Sequence, residues 1–230
     1  MHIDIWSDIS CPWCYLGVRH LRAALAGFER KDEVTVRLHA YLLQPELSET
    51  LDESEPDFMA RTKGMTRAEV EEGLAGITEL ARKDGIAIDW EKTKVSSTVS
   101  AHRLIGLARE IDMERDTTTG PDTLELKMNE ALQRARFELG MDVSNPESLI
   151  ALAQDFDIPG ARVLAALESQ ESAGEVFSDF QIGVQMGIGA VPVYLFDKSL
   201  MMEGTQPTKA FANALKTAWN HSHPDDPVEG

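Results

Sequence analysis

Residues 11–14 read Cys-Pro-Trp-Cys, and they hold both cysteines of the chain. A bond across so short a loop would stabilise little, because the stabilisation from a cross-link grows with the length of chain it encloses. The pair therefore reads as reactive rather than structural. A C-x-x-C that follows a strand and opens a helix is a redox pattern, and the flanks provide that setting. Residues 2–7 alternate, with Ile3 and Ile5 on one face, as a short strand does. Asp8, Ser10 and Pro12 are turn and helix-start residues, and Pro12 suits the first helical position, where its missing N–H is no loss. Cys11 then falls at the helix N-cap, where unpaired N–H groups and the helix dipole favour a thiolate. That setting brings a cysteine from about 8.5 into a range of roughly 3.5–7.5. Cys14 lies one turn in and is more shielded. The expectation is Cys11 as attacking thiolate and Cys14 as resolving thiol.

Other uses of the pair fare worse. Zinc would need two further ligands, and the one close histidine pair, His221 and His223, lies in a polar tail. No metal and no cofactor are expected. Lys and Arg number 22 against 39 Asp and Glu, a formal net charge of -17, which argues against nucleic acid or an anionic membrane surface as partner. No apolar run of about 18 residues occurs, so no transmembrane helix is expected. Residues 1–9 carry neither a basic region nor an apolar core, so no secretory signal is expected and a cytoplasmic location is. There thiols are kept reduced, which again favours a catalytic over a structural pair. The acidic surface leaves the oligomeric state open.

Along the chain the texture changes twice. A helix is expected from about Pro12 to Glu29 and a second strand from Val34, ended by Pro45, with His39 on its polar side as a surface or packing histidine. Residues 46–173 carry helical periodicity, with a capping box at Thr66 and Glu69, and no convincing strand pair. Five or six helices are expected there. Strand texture returns at Val193–Phe196 and Leu200–Met202, followed by a closing helix from Pro207 to Trp219. The expected organisation is an α/β unit from 1–45 and 174–220, an all-helical insertion over 46–173, and a disordered tail over 221–230.

Pro192 is the second residue that stands out. It precedes a strand, and a cis bond there would leave the backbone of Val191 free to meet a partner chain. The run from Cys11 through Pro12, Trp13, Cys14, Tyr15 and Leu16 to Gly17, with Gly189-Ala190-Val191-Pro192 far downstream, resembles the FrnE-like branch of the DsbA superfamily. Ala101-His102-Arg103-Leu104 and Glu203-Gly204-Thr205-Gln206-Pro207 are further family-like pieces. The resemblance implies a thioredoxin-like fold with a large helical insertion and thiol-disulfide oxidoreductase activity. It implies Cys11 as nucleophile, Cys14 as resolving cysteine and Pro192 as the cis-proline beside them. It also implies Pro12, Trp13, Val191 and His102 as substrate-side residues. Two stretches depart from the family pattern, Ala135–Leu139 and Ser96–Ser100, and both bear on which substrate fits.

The expected partner is a thiol or disulfide, whether protein, peptide or small molecule, with glutathione among the candidates. Two rival readings share the fold. One is a glutathione-dependent isomerase or transferase of small aromatic compounds; such enzymes resemble this chain but carry serine where it has Cys11. The other is a chaperone-like binding protein that works without the thiols.

Overall fold

Strand β1, His2–Ser7, owes its position to its alternation. Ile3 and Ile5 face one way and Asp4 and Trp6 the other, and both faces are covered, so β1 is an interior strand. It pairs in parallel with β2, Thr35–Ala40, and antiparallel with β5, Val193–Phe196, which in turn pairs with β6, Leu200–Glu203. The order across the sheet is β2-β1-β5-β6. The register aligns Ile3 with Val36 and Phe196, and Ile5 with Leu38 and Tyr194, which makes one continuous apolar face. This computed structural model describes residues 1–228.

Helix α1, Pro12–Ala26, crosses from β1 to β2, and the C-terminal α9, Thr208–Ser222, packs beside it. Leu21 and Leu25 of α1 and Phe211 and Leu215 of α9 join the Ile3–Ile5 face in one core. Phe211 meets Tyr194 edge-on with ring centroids 4.8 Å apart.

The opposite face of the sheet is closed by α8, Gln170–Gln185. A Cβ on Gly183 would stand 2.9 Å from the Trp6 ring, so only glycine lets α8 lie this close. His39 is stacked on Trp6 and held between Asp4 Oδ1 at 2.7 Å and Asp179 Oδ1 at 2.8 Å. It is thus a buried charged link between β1, β2 and α8 rather than a surface residue. Alternation told which face it shares, and α8, distant in sequence, decides that this face is covered.

Between β2 and β5 lie β3 (Leu51–Ser54), α2 (Glu55–Lys63), α3 (Arg67–Lys83), β4 (Lys94–Val95), α4 (Val99–Arg115), α5 (Leu124–Phe137), α6 (Pro146–Gln154), α7 (Gly160–Glu168) and then α8. The helix starts follow local chemistry. Thr66 and Glu69 form the expected capping box on α3, and Asn145 caps α6 ahead of Pro146. The strand pair β3–β4 was not expected. Leu51 pairs with Val95 and Ser54 with Lys94, and strands of four and two residues are too short to carry an alternation signal. The topology is that of a thioredoxin-like mixed α/β core with a large additional helical region.

The C-terminus also differs from expectation. Residues 221–228 are not a loose tail: α9 runs on to Ser222, Trp219 Nε1 donates to the Asp226 carbonyl at 2.9 Å, and Val228 is buried. Residues 229–230 of the expected tail lie outside the described residues. Among the described residues no helix is long and apolar enough to cross a membrane.

Candidate active site

The dithiol sits where β1 hands over to α1. Cys11 is the N-cap of α1, with extended backbone angles, and Pro12 opens the helix. The Cys14 and Tyr15 N–H groups both donate to the Cys11 carbonyl, which folds the first turn tightly. Both cysteines are free thiols. Cys11 is 5% exposed and Cys14 fully buried. Across from them the Val191–Pro192 bond is cis. Cys11 Sγ lies 3.6 Å from the Val191 carbonyl oxygen and donates to it. The Pro192 carbonyl in turn accepts from Gly204 N–H at 2.8 Å, and the Thr205 hydroxyl donates to the Trp13 carbonyl at 2.6 Å. These bonds tie the loop after β6 both to the proline and to the dithiol. Trp13 projects outward and is 43% exposed.

Close packing brings the two halves together. A Cβ on Gly17 would meet the Tyr194 hydroxyl at 2.2 Å and Pro192 Cγ at 3.2 Å. The missing side chain is therefore what lets α1 approach the proline loop. Tyr194 itself is wholly buried, its hydroxyl has no hydrogen-bond partner, and burial pushes its phenol well above the usual value, with Cys14 and Cys11 adding to the shift.

Behind the dithiol is Asp8, fully buried. Its carboxylate accepts from Ser10 Oγ at 2.8 Å, Ser10 N–H at 3.2 Å, Leu43 N–H at 2.8 Å and His102 Nε2 at 3.4 Å. Burial alone would raise this carboxyl, but His102, the Leu43 N–H and the Thr98 hydroxyl together hold it below the ordinary value. For Cys14 the balance runs the other way. Burial pushes its thiol up, the hydrogen bond and charge of Cys11 push it further, and the Asp8 carboxylate adds to this.

A cleft of about 370 Å³ opens beside Cys11, Pro12 and Trp13. It is lined further by Phe58 and Met59 of α2, Leu74 and Ile77 of α3, Met65 between those helices, and Trp90. Glu55 belongs to the same lining, buried, with its carboxylate 2.7 Å from Nη2 of the buried Arg136. Burial raises the Glu55 carboxyl, and Arg136 offsets this only in part.

Of the residues singled out in the sequence, Cys11, Pro12, Trp13, Cys14, Val191 and Pro192 meet around one point. His102 does not meet the cleft. It is 6% exposed, and it reaches from α4 to the rear of the dithiol, where it bonds Asp8. In this structure its side-chain contact is with Asp8, and it is not among the residues lining the cleft. Sequence reasoning missed Asp8, which looked like an ordinary turn residue, and Tyr194, which looked like one more residue of a buried strand. Neither carries a local signal for its place in the site: beyond Ser10, Asp8 gains its partners from Leu43 and His102, 35 and 94 residues away, and Tyr194 meets Gly17, nearly 180 residues away.

The sequence model of the DSBA-like thioredoxin domain matches residues 2–216. No curated protein matches significantly in sequence. Among solved structures, a probable DsbA oxidoreductase from Streptomyces coelicolor is similar at 27% identity and a TM-score of 0.82, covering 100% of this chain and 93% of the other. The cytosolic disulfide reductase DsbM from Pseudomonas aeruginosa aligns at 15% identity and a TM-score of 0.65, over 96% of this chain and 100% of that one. A 2-hydroxychromene-2-carboxylate isomerase aligns at 13% identity and a TM-score of 0.62, over 98% and 100%. The last two likenesses establish the fold alone. With its Cys11–Cys14 pair at the start of α1, the chain belongs to the DSBA-like thioredoxin domain family and is a thiol-disulfide oxidoreductase.

Proposed function

We propose that Cys11 is the sulfur that attacks and is attacked, that Cys14 resolves, and that substrate approaches along Val191, Pro192 and Trp13. The observation that carries this reading is the difference between the two thiols. Cys11 borders the cleft and faces the Val191 carbonyl at 3.6 Å, at a helix end where negative charge is favoured, while Cys14 is enclosed and holds its proton tightly. In the forward direction Cys11 sulfur displaces one sulfur of a substrate disulfide, giving a mixed disulfide and a released thiolate. Cys14 then attacks Cys11, the Cys11–Cys14 disulfide forms, and the second substrate thiol leaves. An extended substrate pairs with the Val191 backbone, and Pro12 and Trp13 form the rim it crosses.

The finer assignments are part of the same proposal. The Cys-Pro-Trp-Cys-Tyr-Leu-Gly run with Gly-Ala-Val-Pro supports the FrnE-like branch. Residues 1–45 with 174–220 are read as the catalytic unit and 46–173 as its insertion. A cytoplasmic site of action is supported by the likeness to a reductase named as cytosolic. In a pool poised at roughly -220 to -320 mV the pair works as reductase or isomerase. Glutathione is a candidate thiol partner, since a structure of the Pseudomonas reductase is described with it.

The test is a pair of variants. Cys11→Ser abolishes disulfide exchange, and Cys14→Ser accumulates a covalent adduct on Cys11 that can be isolated from lysate and identified. Full turnover by Cys11→Ser overturns the assignment.

A further inference from the structure

Among the described residues the Tyr194 hydroxyl is a buried polar atom that bonds nothing, the cysteine sulfurs included. Its ring is fully buried on β5, two residues after Pro192 and so on the same side of the strand. The hydroxyl stands against Gly17. Gly17 is three residues beyond Cys14, on the same face of α1. The Thr205 hydroxyl, also near Gly17, donates to the Trp13 carbonyl and makes no hydrogen bond with Tyr194. Phenylalanine would fill the same space without burying an unpaired hydroxyl, which proteins generally avoid.

The chemistry nearby supplies a reason for the hydroxyl. Cys14 must give up its proton before it attacks the mixed disulfide, and negative charge then appears on a sulfur that is cut off from water. The charged groups facing that sulfur are unhelpful. Asp8 behind it is an anion bonded to His102 of α4, and Cys11 on its own helix is then covalently engaged. A neutral donor with a firmly held proton fits where another charge would not.

We propose that the Tyr194 hydroxyl is the hydrogen-bond donor to the Cys14 sulfur during the resolving step. It lends its proton and keeps it. In that step the Cys14–Cys11 sulfur bond forms, the bond from Cys11 to the substrate sulfur breaks, and the electron pair leaves with the substrate sulfur. The proton lost by Cys14 ends on that departing thiolate, so a substrate thiol is released. The proposal rests on the reading of Cys14 as the resolving cysteine.

The experiment uses the full chain carrying a mixed disulfide between Cys11 and 2-nitro-5-thiobenzoate, whose release is coloured. Tyr194→Phe lengthens the lifetime of this species about threefold, because the roughly tenfold loss of thiolate is partly offset by the higher nucleophilicity of a more basic sulfur. In the Cys11→Ser background the same change raises the titration of Cys14 by about one pH unit. The thermal midpoint stays level or rises, which a merely structural hydroxyl bond would not allow. A folded Tyr194→Phe protein with an unchanged lifetime overturns the proposal. Should that variant not fold, fluorotyrosine placed at 194 makes a stronger donor and shortens the lifetime; no change again overturns it. Cys14→Ser separates the two readings: if its mixed disulfide collapses as fast as that of the unchanged chain, the resolving role of Cys14 has failed, and not the role of Tyr194.

Discussion

Asp8 concentrates more of the site's order than either cysteine does. Its two oxygens hold the turn that delivers Cys11, the N–H of Leu43 after β2, and His102 from α4. Asparagine keeps the shape but turns an acceptor into a donor, so the buried Ser10, Leu43 and His102 donors share one acceptor oxygen fewer. Leaving a buried donor unsatisfied costs about 1–3 kcal/mol, so Asp8→Asn is expected to lose roughly 2 kcal/mol of unfolding free energy at neutral pH. The sign of the pH dependence follows from the lowered carboxyl. A group held below its unfolded value of 3.8 contributes fully above that value, and its contribution is lost as pH falls through the depressed folded value. The gap between parent and variant in urea titrations is therefore constant from pH 7 to about pH 5 and narrows only in stronger acid. A gap that widened in acid would contradict this role. The contrast with Cys11 and Cys14 explains what could be read in advance. The cysteines carry their meaning in a spacing of three residues, whereas Asp8 and Tyr194 acquire theirs from chain that arrives much later.

At the scale of elements, the decisive contact is α1 against the start of β5. Its closeness depends on Gly17, and the clash of a methyl group there would be with a rigid ring and a proline rather than with a flexible chain end. Gly17→Ala is expected to cost about 1–3 kcal/mol as overpacking, and, because Pro192 must shift, to slow disulfide exchange more than Gly27→Ala, which meets only ordinary contact at the other end of the helix. Turnover and thermal midpoint of the two variants check this together; equal behaviour would argue against the proline loop being positioned through Gly17. The elements themselves were legible to different degrees. Strong local chemistry, such as Pro12 after Cys11 or Thr66 with Glu69, marks helix starts correctly. The α1 end is Ala26 rather than Glu29: Gly27 caps the helix, and Phe28, which prolongs the apolar stripe in the sequence, packs on Trp219 from beyond the helix end. The β3–β4 pair was invisible because one partner is two residues long and exists only through its neighbour. Six helices, α2 to α7, fill the stretch expected to hold five or six. How they would form the cleft was not legible, because the Glu55–Arg136 bond joins residues 81 apart.

The molecule as a whole is strongly acidic, with a formal net charge of -17, and several of its buried groups resist further loss of protons. Glu125 is the clearest. It is buried under β2, accepts from Leu38 N–H at 2.8 Å, and burial raises its carboxyl from 4.5 to about 7, against the opposing pull of Arg109. Glu55 is raised for the same reason. His39 is raised from 6.5: burial works against its charge, but Asp179 and Asp4 outweigh that. All three have folded values above their unfolded ones, so each contributes fully below the unfolded value and loses that contribution as pH rises through the folded one. For Glu125 the window runs from 4.5 to about 7, and a shift of that size corresponds to about 3 kcal/mol. Self-repulsion of the acidic surface grows over the same range and adds to the trend. Asp4 and Asp8, both held low, set the opposing limit in stronger acid. The fold is therefore expected to be most stable near pH 5 and to weaken steadily toward pH 8. Glu125→Gln keeps the shape and the acceptor for Leu38 while removing the charge. It should raise the urea midpoint at pH 7.5, leave it nearly unchanged at pH 4.5, and flatten the slope between them. Because urea leaves the ionic strength free, the same series with added salt separates the two causes. Salt relieves the surface repulsion but leaves the Glu125 contribution in place, so a slope abolished by salt in the parent protein would assign the whole effect to the surface and none to the buried carboxyl.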